Sequence, residues 1–169
     1  MDCATFDALP DADAVALLQT CCSSPAWARR VAAARPFGNR GALLRNATEM
    51  SLALSDDELG DALAGHPRIG ERSESAASQR EQSSVATATD EVRAALAAGN
   101  RAYEEKFGHV YLVRAAGRSA GELLEILNRR LANDAATERG EVRAALADIN
   151  RLRLELLIDD TAAVTGGTE

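Results

Sequence analysis

Ser119-Ala120-Gly121-Glu122-Leu123-Leu124-Glu125-Ile126-Leu127 decides the fold class. Ser119 and Glu122 stand three apart. At that spacing a Ser hydroxyl caps the first turn of a helix and a Glu returns a bond to the capping residue. Leu123, Leu124, Leu127 and Leu131 then recur at helical spacing and predict one buried face, with Asn133 able to end the helix. The stretch from Ala135 to about Ile158 predicts a longer last helix, its apolar face traced by Val142, Leu146, Ile149 and Leu156.

The same grammar runs back toward the N-terminus. Asp11 is placed to cap a helix through Ala14, Leu17, Leu18 and Cys21. Ser24-Pro25 starts another, with Pro25 at its first position and Trp27 and Val31 on its face, and Arg35-Pro36-Phe37-Gly38 breaks it. Gly41 to about Leu52 reads as a third. Ser55-Asp56-Asp57-Glu58 is another capping box, opening a short helix that Gly65 ends. Further helices are predicted from about Ala76 to Ala86 and from Asp90 to Lys106. Gly99-Asn100 is a candidate bend in the latter, and Phe107-Gly108 stops it. His109-Val110-Tyr111-Leu112-Val113 is unlike its surroundings: it is β-prone, yet no second strand offers to pair with it. The expectation is a buried extended segment whose backbone groups bond a ligand, side chains or water. The whole reads as an all-α, single-domain bundle of about eight helices over residues 1–160, with a polar, Gly-rich tail at 161–169 expected to be disordered.

Composition agrees. The 169 residues are 46% hydrophobic but only 4% aromatic, with Ala and Leu dominant, which favours helix packed on helix. A formal charge of −7 argues against nucleic acid or an anionic membrane as partner. No apolar run nears the ~20 residues that cross a bilayer. Met1-Asp2-Cys3-Ala4 lacks the basic start of a secretory signal, and Gly166-Gly167-Thr168-Glu169 carries no peroxisomal address. Cys3, Cys21 and Cys22 form an odd, clustered set, a poor disulfide framework suited to a reducing cytoplasm. Two histidines, no Cys-x-x-Cys and no Gly-rich phosphate loop leave no metal and no cofactor expected.

The candidate chemistry sits in His66-Pro67-Arg68-Ile69-Gly70-Glu71-Arg72, followed by Ser78-Gln79-Arg80-Glu81-Gln82. Pro67 keeps His66 off the helical region, so the imidazole is expected on a constrained, solvent-accessible corner. Ser78, Glu81, Gln82 and Val85 share one helical face, written mostly in polar residues. Ordinary roles exist for each group: a loop histidine, and a capping box at Ser78 and Glu81. Arg153 falls four residues after Ile149 and three before Leu156, on or at the edge of the apolar stripe. Such an arginine either snorkels to water or pairs with an anion.

His66-Pro67-Arg68-Ile69-Gly70-Glu71, then Ser78-x-x-Glu81-Gln82, then Asn100-x-x-Tyr103-x-x-Lys106-Phe107-Gly108 resembles the OHCU decarboxylase family, from Phe6-x-Ala8-Leu9-Pro10 to Arg153-Leu154. Members decarboxylate 2-oxo-4-hydroxy-4-carboxy-5-ureidoimidazoline in urate breakdown. The resemblance implies an all-α, cofactor-independent carboxy-lyase, tending to be dimeric, that takes this small anionic substrate to (S)-allantoin. By the same resemblance His66 and Glu81 are the catalytic pair. Pro67, Ser78, Gln82 and Arg153 fall at substrate-pocket positions, and His109, Val110, Tyr111, Leu112 and Val113 form the segment whose backbone contacts the ligand. Two departures stand out. The loop between His66 and Glu81 is shorter than in many members, and the stretch from Val110 to Val113 lacks the proline and phenylalanine found in some.

Loss of carbon dioxide leaves charge that the ring's adjoining carbonyl can delocalise, so the protein has to orient, stabilise and deliver a proton. His66 would move that proton or stabilise charge. Glu81 would hold the substrate hydroxyl and raise the pKa of His66. Arg153 and Ser78 would clamp the substrate. Two other readings stand beside it: a non-catalytic helical bundle that binds a partner protein, supported by the Ala-rich amphipathic pattern, and a hydrolase of a related ureide built on His66 and Glu81. The three-dimensional grouping of His66, Glu81 and Arg153 separates an enzyme from a partner-binding bundle.

Overall fold

A computed structural model describes residues 1–71 and 76–160; the expected disordered tail at 161–169 lies outside them. Among the described residues ten helices follow in order: α1 (Cys3–Asp7), α2 (Asp11–Gln19), α3 (Pro25–Ala33), α4 (Arg40–Leu52), α5 (Asp56–Ala64), α6 (Ala76–Glu81), α7 (Ser83–Ala86), α8 (Asp90–Phe107), α9 (Ala120–Arg130) and α10 (Ala135–Leu157). Among the described residues the only β-type pairing is an isolated bridge between Asp2 and Asp159. No helix among them is long and apolar enough to cross a membrane. The all-α bundle is therefore as expected. The count exceeds eight because α1 is too short to show a period and because one expected helix is split.

Both capping boxes form. Ser55 and Glu58 exchange bonds at the start of α5, and Ser119 and Glu122 do so at the start of α9. Ser24 caps α3 with Pro25 in its first turn. Asp11 does not cap α2. It is the first helical residue, after Pro10, where its charge suits the positive end of the helix. The helix expected at 76–86 breaks at Gln82, whose side-chain amide is spent on the backbone of residues 68 and 70. By contrast α8 runs unbroken through Gly99-Asn100 and ends where Gly108 takes a left-handed φ of 78°.

The core comes in two parts. The larger gathers α1 to α5 and α10 around Trp27, Leu18, Leu43, Leu146 and Leu154. Here α10 packs along α4, and the Trp27 indole donates to the Ala47 carbonyl at 3.0 Å. The smaller gathers α8 and α9 around Leu96, Tyr103, Leu123 and Leu127. Residues 109–115 run between the two. Val110 and Leu112 pack into the larger core, while Tyr111, Val113 and Ala115 pack into the smaller. An extended chain turns successive side chains to opposite sides, so a β-prone sequence suits a segment that must fill two cores at once. On α10 the buried stripe passes through Asn150, Leu154 and Ile158 and leaves Leu156 outside, 70% exposed, contrary to its assignment to the apolar face.

Candidate active site

The site lies along the seam between the two cores. Helix α5 ends at Gly65, where a Cβ would fall 1.7 Å from the Ser23 Oγ and 2.8 Å from its Cβ, so any larger residue would displace Ser23. His66 follows directly, its N–H donating to the Leu63 carbonyl at 3.0 Å. The corner is braced from two directions. Asn100 on α8 donates Nδ2 to the Ile69 carbonyl at 2.9 Å, and Gln82 accepts the Gly70 N–H at 2.8 Å. Arg68 is held outside by Glu104 and Glu71. His66 is half-buried, not set on an open corner.

Glu81 closes α6 and meets Arg153 from α10, 72 residues later. Arg153 donates Nε to Oε1 at 2.7 Å and Nη2 to Oε2 at 2.9 Å, a two-pronged pair, and Nη1 to the Cys21 carbonyl at 2.9 Å. The pair is mostly shielded, with 11% and 16% of the two side chains exposed. Ser78 lies inside α6 and is buried, so it is not the cap of a box. Of the residues singled out in the sequence, His66, Pro67, Ser78, Glu81, Gln82, Tyr111, Leu112 and Val113 line one narrow cavity of about 20 Å³. Arg153 joins it through Glu81. His109 and Val110 do not line it. The His109 ring lies against Tyr103 and Phe107, and Val110 packs into the larger core. Ile69, Ala115 and Ile149 also line the cavity. Ile149 had a signal, since it stands one turn before Arg153 on the apolar stripe. The Cys21 carbonyl had none.

The electrostatics reverse one expectation. Burial, reinforced by the positive charge of Arg153, pulls the His66 pKa down from 6.5 to about 4. Glu81 does not raise it, because its carboxylate is engaged by Arg153 and His66 feels the cation. His66 is thus neutral near pH 7: a base and a hydrogen-bonding group, charged only once it takes a proton. Among the described residues no group of three or more His, Cys, Asp or Glu side chains could hold a metal ion.

The profile of the OHCU decarboxylase family matches residues 7–155. The chain belongs to this family. It is 26% identical over 159 residues to the uric acid degradation bifunctional protein TTL of Arabidopsis thaliana, covering 89% of this chain and 49% of the relative, so it spans about half the length of that curated relative. Two solved structures share the fold. An OHCU decarboxylase crystallised in the presence of (S)-allantoin superposes with a TM-score of 0.76 at 23% identity, covering 90% of this chain and 100% of that one. An (S)-allantoin synthase superposes with a TM-score of 0.72 at 16% identity, covering 94% and 55%.

The arrangement has three chemical capacities. Arg153 is a two-pronged donor already shaped around a carboxylate. His66 can accept and return a proton. The rest of the cavity, apart from Ser78, Glu81 and Gln82, is apolar wall that raises the strength of both.

Proposed function

We propose that this protein decarboxylates 2-oxo-4-hydroxy-4-carboxy-5-ureidoimidazoline to (S)-allantoin, in urate breakdown, without a cofactor. The observation that carries the reading is the meeting of His66, Ser78 and the Glu81–Arg153 pair at one cavity in a chain of this family. The catalytic residues are His66 and Glu81. Arg153, Ser78, Pro67, Gln82 and the 109–113 segment bind or wall in the substrate, His109 and Val110 from behind it.

A cavity of about 20 Å³ holds one water, not a substituted ring. Binding therefore opens the Glu81–Arg153 pair. The substrate's carboxylate takes the place of the Glu81 carboxylate on Arg153, and Glu81 turns to the substrate hydroxyl. The bond from the ring carbon to the carboxylate then breaks, carbon dioxide leaves, and the electron pair passes into the unsaturation of the ring. One proton is taken up at the ring carbon bearing the ureido group and one at the ring nitrogen that received the electron pair, while the hydroxyl loses its own proton to become the product carbonyl, a net uptake of one proton. Arg153 can follow the negative charge from carboxylate to ring. Only the second contact speeds the reaction, because the first stabilises the ground state as well. Neutral His66 is fit to take the hydroxyl proton and pass one on. Delivery to one face makes one enantiomer.

The reading extends to a cytoplasmic homodimer, supported by the family resemblance and the odd, clustered cysteine set. The test is to generate the substrate in situ and follow the circular dichroism of the allantoin formed. Catalysed formation of the (S)-enantiomer is expected; racemic allantoin at the spontaneous rate would reject the function.

A further inference from the structure

A second arginine–glutamate pair lies behind the cavity wall. Arg130 ends α9 and Glu138 stands in the first turn of α10; they are 1% and 0% exposed. Arg130 donates Nε to Glu138 Oε1 at 2.8 Å, and Nη2 to the same oxygen. Its third arm, Nη1, donates to the Leu112 carbonyl at 2.6 Å. Glu138 also accepts the Tyr103 hydroxyl on Oε1, and the Asn133 amide on Oε2 at 2.9 Å. The guanidinium lies 5.1 Å from the Tyr111 ring centre, and the Tyr111 hydroxyl donates to the Leu123 carbonyl at 3.1 Å.

Stability alone does not account for this cluster. Moving both charges out of water costs much of what their attraction returns, and apolar side chains of the same size commonly serve a core as well or better. The third arm of Arg130 does something apolar side chains cannot. Among the described residues no backbone-to-backbone hydrogen bond holds residues 109–114. The segment has no sheet to set its register, and the buried Leu112 carbonyl needs a donor. Arg130 is that donor, and Tyr111, Leu112 and Val113 wall the cavity that also holds His66 and Glu81.

We propose that Arg130, clamped by Glu138, is a positioning residue for the reaction: it fixes the Leu112 carbonyl and with it the stretch 111–113 that shapes the substrate cavity. The proposal rests on the decarboxylase reading for its kinetic consequence but not for its structural one. Neither side chain lines the cavity, so the effect passes through the backbone of Leu112.

Two variants test it. Arg130→Met combined with Glu138→Leu removes both charges together. Arg130→Lys keeps a cation beside Glu138 but loses the fork that also reaches Leu112. At equal concentration of folded protein, KM should rise about tenfold in the double variant, because a misplaced wall loosens the substrate's orientation. Arg130→Lys should move the same way by less. Hydrogen exchange at the amides of 111–113 should quicken in both, while core amides of α4 and α10 keep wild-type protection. Unchanged KM with exchange rising evenly over the whole chain, or not at all, would overturn the proposal. If the double variant does not fold, Arg130→Lys decides by the same two readouts. If the wild type does not turn over the substrate, the functional reading fails on its own, and selective exchange at 111–113 still decides whether Arg130 holds the segment.

Discussion

Two arginine–glutamate pairs bear on one extended segment, and they are built differently. Arg130 and Glu138 are eight residues apart and fully enclosed, and two further donors, Tyr103 and Asn133, reach the carboxylate. Arg153 and Glu81 are 72 residues apart, meet at the edge of a cavity, and among the described residues draw otherwise on the Cys21 carbonyl. An enclosed pair whose every bond is satisfied cannot exchange its partner without exposing a buried charge. A pair with an edge on a cavity can. The difference assigns the first to holding the wall and the second to meeting the substrate.

The same truncation should read out in different quantities at the two sites. Arg130→Ala leaves Glu138 buried and unpaired, and should cost ~3–5 kcal/mol of stability by thermal or denaturant unfolding. Arg153→Ala should lower kcat/KM by ~10²-fold, measured by allantoin formation, because the charge that developing anion needs is gone. Its melting temperature should fall far less than that of Arg130→Ala. Equal stability losses in the two variants would break the distinction.

His66 sharpens it through pH. Its ordinary pKa is 6.5 and in the fold it is about 4, so between those values the unfolded chain binds more protons. Stability due to keeping His66 neutral is present above pH 6.5 and is lost as pH falls from 6.5 through 4. Its size should be on the order of 2 kcal/mol, the half-buried ring being partly screened. His66→Asn should stay folded, flatten this part of the pH–stability curve, and shift the product toward the racemate. A curve as steep as the wild type's would mean that Arg153 and burial do not hold the imidazole neutral.

Much of this was legible in the residues. Ser55-x-x-Glu58, Ser119-x-x-Glu122 and Ser24-Pro25 marked helix starts because capping chemistry is local. The unpaired run at 109–113 was readable as extended, though its division between two cores was not, since that depends on which helices flank it. Arg153 stood out within an apolar stripe, but the stripe was misdrawn through Leu156, and the partner that neutralises it lies 72 residues away. The pKa direction of His66 failed for the same reason: the sequence shows a nearby carboxylate, and only the fold shows that Arg153 has taken it. Arg130 and Glu138 carried the same signal as Arg153 and went unread: Arg130 stands three residues after Leu127 and Glu138 four before Val142, each a charge on an apolar stripe.

The most direct test of the exchange at Arg153 is the affinity of Glu81→Gln for an unreactive hydantoin-type ring that carries a carboxylate but no hydroxyl. Glu81 competes with any incoming carboxylate for Arg153, and removing its charge removes the competitor. Calorimetry should show the variant binding this ring about tenfold more tightly than wild type, as expected from the worth of a charged hydrogen bond, while turnover of the true substrate falls. Weaker binding by Glu81→Gln would contradict the account, placing Glu81 on the ligand from the start and leaving Arg153 no carboxylate to release.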